Sequence, residues 1–133
     1  DFPNLKLVCG HGGGYIPYQA GRGRAFRMNQ MQREPDAGWE SFDDSMRRLY
    51  YDTVLYDGEA MELLIKVGGA DRVLFGTDKP ANGSVKDPVT GRVLNDVKPL
   101  IDQIGWLNDE DKHAIFEGNA RKLYSRLKVP ATA

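Results

Sequence analysis

Three short apolar runs alternate along the chain with longer amphipathic stretches. "LKLVCGH" (5–11) is almost continuously apolar, the pattern of a strand covered on both faces, as in a parallel sheet. "YYDTVLYD" (50–57) is β-branched and aromatic and reads as a second strand. "RVLFGTD" (72–78) reads as a third, buried one. Between the runs the period lengthens. A helix is predicted near 17–32, and a shorter one over "SFDDSMRRL", with Ser41 as N-cap and Asp44 three residues on. In "GEAMELLIKVGG", Ala60, Leu63, Leu64 and Val67 share one helical face, and Gly68 and Gly69 end it.

A polar loop, "KPANGSVKDPVTGR", follows the third run. A helix is predicted after it with Val97, Leu100, Ile101 and Ile104 inward, and Pro99 tolerated in its first turn. Asn108 is expected to cap "DEDKHAIFEG". Asn119 is expected to cap "ARKLYSRL", whose Ala120, Leu123, Tyr124 and Leu127 make a buried stripe. The "PATA" tail is expected to fray. Strands alternating with helices argue for an α/β fold with a parallel sheet and helical crossovers. Such sheets bind ligands at the carboxyl ends of their strands. His11 closes the first run and Asp78 the third.

Composition narrows the function. With 133 residues, 41% of them apolar and 28% charged, residues 1–133 suit one globular domain. A net charge of −1 implies no general pull toward nucleic acid or membrane. The apolar runs fall far short of the roughly 18 residues that span a bilayer. Cys9 is the only cysteine, so no internal disulfide forms, and a reducing cytoplasm is the expected compartment.

Few residues can carry chemistry. His11 precedes Gly12, Gly13 and Gly14, which permit positive φ and close approach of a ligand to the backbone. Taken alone it is either structural or functional. Asp78 is either a turn aspartate in "TDKP" or a hard ligand for a divalent metal. Arg22, Arg24 and Arg27 form either a solvated helix face or a carboxylate clamp. Cys9 reads as core and His113 as surface. Asp52 would need partners if buried, and Trp39 and Trp106 read as packing residues. An esterase oxyanion loop is excluded because no G-x-S-x-G elbow accompanies the glycines. A dinucleotide fingerprint starting at Gly10 is excluded because Tyr15 stands where it needs glycine.

Three ordered motifs, spanning nearly the whole chain, resemble the amidohydrolase-2 group of hydratases and decarboxylases. They are "FPNLKLVCGHGGGYIPYQAGR", "YYDTVLYDGEAMELLIKVGGADRVLFGTDKP" and "DPVTGRVLNDVKPLIDQIGWLNDEDKHAIFEGNARKLYSRL", the last most similar to the hydratase-like branch. The resemblance implies an eight-stranded β/α barrel holding a divalent metal, usually zinc, with manganese as the other candidate. It implies His11 as general acid/base and Asp78 as metal ligand. Arg22 would bind a substrate carboxylate, with Gly12 and Gly13 leaving room for the substrate. It also implies a small carboxylate-bearing substrate. The open edges of a three-stranded piece suggest a homo-oligomer, and the charge balance implies no nucleic-acid or membrane partner.

The match is to the last three strands and terminal helices of such a barrel, which takes about 250 residues in full. The group's first-strand H-x-H pair and a mid-barrel metal histidine have no counterpart in the 133 residues. Lys79 departs from the aromatic that decarboxylases of the group often carry, while some hydratase-like members carry glutamate where Asp78 stands. The chain is therefore expected to be a fragment of a longer lyase or a remnant completed by association. Its function is expected to be lyase chemistry (hydration or decarboxylation), non-catalytic assembly, or anion binding by the glycine loop.

Overall fold

Each apolar run supplies a strand, but a shorter one than its pattern predicts. In the computed structural model, which describes residues 4–127, β1 (Leu7–Cys9), β2 (Leu49–Asp52) and β3 (Val73–Leu74) form one parallel sheet in the order β1-β2-β3. Leu7 lies opposite Leu49, Cys9 opposite Tyr51, and Tyr51 opposite Val73. The "PATA" tail lies outside the described residues.

Local hydrogen bonding explains the early strand ends. Asp52 turns its carboxylate onto the Val54 amide (3.2 Å), which bends the chain out of β2. Thr53 extends the ladder with its side chain, accepting from the Gly76 amide at 2.9 Å and donating to the Gly76 carbonyl at 2.8 Å. Beyond β3, the Phe75 amide donates to the Ile115 carbonyl at 3.0 Å, so a helix takes the donor that a longer strand would have used.

The helices follow in chain order. They are α1 (Ala20–Arg33), α2 (Phe42–Met46), α3 (Gly58–Gly68), α4 (Lys98–Asp102), α5 (Asp109–His113) and α6 (Asn119–Leu123). Ser41 caps α2 by accepting from the Asp44 amide, and Asn108 caps α5 by accepting from the Asp111 amide. Pro99 sits in the first turn of α4, where its missing N–H costs nothing. The core gathers Met46, Tyr51, Met61, Leu64, Ile65, Val73, Val97, Ile101, Ile104, Leu107 and Ile115.

Three expectations need correcting. The buried face of α3 is Met61, Leu64, Ile65 and Gly68, one position on from the predicted stripe, and Leu63 is exposed. Apolar residues fill a wide arc of this helix, and Gly68 decides the rotation. A Cβ there would lie 3.0 Å from the Tyr51 ring, so the glycine lets that ring against the helix. Asn119 is no cap: α5 runs through a π-helical segment (Ala114–Gly118) into α6 without a break, and Asn119 is buried. The stripe assigned to "ARKLYSRL" also fails at its end, where Tyr124 and Leu127 are exposed.

Cys9 is half-buried, because β1 is an edge strand whose Leu7 and Val8 face outward. His113 is on the surface, 3.1 Å from Glu117. Trp39 and Trp106 are partly exposed and lie against Arg27 and Lys66. Among the described residues, no helix is long and apolar enough to cross a membrane.

Candidate active site

The carboxyl ends of the three strands are built alike. Shortly after each comes a residue other than glycine in the left-handed region: His11 after β1 (φ 53°), Tyr56 after β2 (φ 59°) and Asp78 after β3 (φ 55°). Such backbone is rare for residues with a Cβ and concentrates at functional sites. The parallel sheet thus brings three polar side chains to one edge, from positions far apart in sequence. Sequence reasoning singled out His11 and Asp78 and missed Tyr56.

His11 is exposed, on a tight turn held by main-chain bonds from Gly13 N–H to Gly10 O (3.1 Å) and from Gly14 N–H to His11 O (2.9 Å). Gly12 and Gly13 are buried, and the room they make is filled by the protein itself. A Cβ at Gly12 would lie 2.6 Å from Leu55, and one at Gly13 2.8 Å from the Tyr51 ring. The space of the missing side chains is thus taken by Leu55 and Tyr51, and these two glycines let the loop close down on β2. The Gly12 amide donates to Asp52 Oδ1 at 3.0 Å. All three glycine amides are therefore spent on protein acceptors, one of them a carboxylate, which leaves the loop poorly suited to an anion.

Asp78 is exposed, next to a cis Lys79–Pro80 peptide, and its Oδ2 accepts from the Tyr56 hydroxyl at 3.1 Å. Loss of hydration and then the Asp78 carboxylate raise the Tyr56 hydroxyl above its ordinary pKa. The Tyr56 carbonyl accepts from Arg92 Nη2 at 3.0 Å. A Cβ at Gly83 would lie 2.4 Å from the Tyr56 ring, so the polar loop is shaped around that ring. Partial burial and then the neighbouring Asp52 push the Cys9 thiol up, which makes it less reactive.

The three arginines separate clearly. Arg24 is paired with Asp43 (2.8 Å), and Arg27 donates to the Glu40 carbonyl (2.6 Å). Arg22 has no carboxylate partner among the described residues and lines an open groove with Tyr15, Gln19, Phe26 and Phe42. Among the described residues, no three histidine, cysteine, aspartate or glutamate side chains gather closely enough to hold a metal ion. Asp78 has the right chemistry for a hard cation, but a catalytic zinc takes three protein ligands. The described residues do not complete such a set.

Residues 1–126 match the family described as Amidohydrolase. A 2-keto-4-carboxy-3-hexenedioate hydratase from Sphingobium sp. is 36% identical over 134 residues, covering 100% of this chain and 37% of that protein. The solved 4-oxalomesaconate hydratase from Rhodopseudomonas palustris superposes with a TM-score of 0.82 at 35% identity, covering 95% of this chain and 36% of that one. The chain thus spans little more than a third of the relatives it matches. A 5-carboxyvanillate decarboxylase from Novosphingobium aromaticivorans, complexed with manganese, shares the fold. Its TM-score is 0.65 at 18% identity, over 92% of this chain and 33% of that one. The short parallel sheet, with its polar residues at one edge, matches one portion of the larger β/α barrels of these relatives, and the chain belongs to the amidohydrolase family.

Proposed function

We propose that this chain forms the carboxyl-terminal part of the active site of a metal-dependent lyase. The lyase adds water to a small, carboxylate-bearing substrate and works in the cytoplasm. The observation that carries this reading is the shared edge of the sheet, where His11 and Asp78 are both held at positive φ in an amidohydrolase chain. Hydration is favoured over decarboxylation because the two relatives at 35–36% identity are both hydratases.

Each residue does one thing. The His11 imidazole accepts a proton at one ring nitrogen and returns it to the substrate carbon or oxygen. Arg22 holds a substrate carboxylate through two parallel N–H bonds. Asp78 offers a carboxylate to a divalent metal, zinc or manganese, whose other ligands lie outside the described set. Such a metal, when bound, acidifies water and polarises substrate oxygens.

The incomplete ligand set favours a second statement about this chain alone: it holds metal weakly and is inactive until completed by further chain or by a second copy. Metal content after zinc or manganese loading and desalting tests both. Near one metal per chain, lost in Asp78→Ala and kept in His11→Ala, means the site is completed by association. No retained metal in a folded sample confines this chain to scaffold and proton transfer. Retention unchanged by Asp78→Ala overturns the ligand assignment.

A further inference from the structure

The residues after β1 and β3 have roles in the proposed lyase, and the strand between them has none. Yet the exit of β2 touches both neighbours. Asp52 Oδ1 accepts two amides, Gly12 N–H at 3.0 Å and Val54 N–H at 3.2 Å. One belongs to the loop that carries His11 and the other to its own strand exit. Its second oxygen, Oδ2, lies 3.6 Å from where a Gly10 Cβ would stand, so a larger residue at Gly10 would touch the carboxylate. On the other side, four residues on, the Tyr56 hydroxyl donates to Asp78 Oδ2 at 3.1 Å.

Tyr56 is fixed from three directions. Arg92 of "DPVTGR" donates to its carbonyl, Gly83 makes room for its ring, and Asp78 takes its hydroxyl proton in a hydrogen bond. The loop that grips it is anchored in turn. The Asn95 amide donates to the Gly83 carbonyl (2.9 Å), and the buried Asn95 side chain donates to Ser84 Oγ (2.7 Å). A phenol held this firmly, with left-handed backbone to maintain, is a rigid mount and not a mobile surface group.

We infer that residues 52–56 are the positioning element of the site: Asp52 fixes the glycine loop that presents His11, and Tyr56 fixes the Asp78 carboxylate. Both are positioning residues that act through their neighbours. The inference rests on His11 and Asp78 being the working groups. It also gives the "DPVTGR" loop a role, since its arginine holds Tyr56 in place. Groups that orient a ligand or a proton carrier are commonly worth a tenfold or larger effect.

The test is solution NMR on the full chain, uniformly labelled, as wild type, Asp52→Ala, Asp52→Asn and Tyr56→Phe. In Asp52→Ala, Gly12 amide exchange should speed up by about tenfold or more, while Met61 and Ile115 in the core keep their protection. Asp52→Asn retains an acceptor oxygen and should restore Gly12 to near wild type, which a loss of general stability would not do. In Tyr56→Phe, three-bond couplings to Asp78 Cγ should change from one χ1 rotamer to an average. Should Asp52→Ala not fold, Asp52→Leu, which fills the same space without an acceptor, carries the same measurement.

Full protection of Gly12 without a residue-52 acceptor, or a single Asp78 rotamer in Tyr56→Phe, overturns the assignment. Neither readout needs metal or substrate. A failure of the metal reading, seen as metal retention that ignores Asp78→Ala, is therefore distinguishable from a failure of this one.

Discussion

A methyl group added at Gly13 would stand 2.8 Å from the ring of Tyr51, which is fully buried and donates to the Met46 carbonyl. The ring cannot move without disturbing the core, and φ at Gly13 is +78°. Gly13→Ala should therefore destabilise by roughly 2–4 kcal/mol, overpacking and left-handed strain acting together. Chemical denaturation measures it, and a loss below about 0.5 kcal/mol would mean the loop does not close on β2 as described. Tyr51 also sets an alkaline limit. Burial, and then Cys9, pushes its hydroxyl from 10.0 up to about 12. The folded value exceeds the unfolded one, so the stabilisation is complete below pH 10 and is lost as pH rises toward 12. Absorbance titration should show a tyrosine ionising near pH 12, lost in Tyr51→Phe. Of the proposed site residues, His11 and Asp78 stand out in the sequence because each closes an apolar run, one beside glycines and the other close to proline. Tyr56 does not, since it sits inside a run that reads as strand. The positioning role proposed for it rests on a left-handed backbone and a partner 22 positions away.

Elements were legible in number and order, less so in length and rotation. The pattern of "YYDTVLYD" cannot show that Asp52 will bend the chain by accepting from Val54, nor that Phe75 will give its amide to a helix. Asn119 shows the same limit. Its position before "ARKLYSRL" suits a cap, but its side-chain amide donates to the carbonyls of Ala70 (2.7 Å) and Val73 (2.8 Å). It therefore ties α6 to the turn that follows α3 and to β3. Asn119→Leu leaves both acceptors without this donor in a buried place and should cost about 1–3 kcal/mol. Loosening of β3 should accompany it, read as faster amide exchange at Phe75. Unchanged stability would show that the two carbonyls find other donors. Within α1, a methyl group added at Gly21 would meet open space, and the backbone there is ordinary helix. Gly21→Ala should therefore stabilise by about 0.5–1 kcal/mol through helix propensity, read by the same denaturation.

At the scale of the whole molecule, the apolar surface is distributed unevenly. The edge strand β1 exposes Leu7 (51%) and Val8 (40%), Leu5 beside it is exposed, and α1 turns Phe26 (68%) and Met28 to solvent while burying only Ala20. A strand read as covered on both faces thus lacks that cover among the described residues, a pattern that fits a chain matching only one portion of larger barrels. Paired edges and covered faces are what a parallel sheet requires. In the 133-residue chain alone, a second copy can supply that cover, so we expect it to self-associate. Light scattering on a folded sample at tens of micromolar should give a mass above that of one chain, falling with dilution. Leu7→Lys places a charge on the open edge and should shift the distribution toward monomer without loss of helical signal. A monomeric mass at every concentration would exclude completion by a second copy. The cover, and the remaining metal ligands with it, would then have to come from other chain in the same barrel.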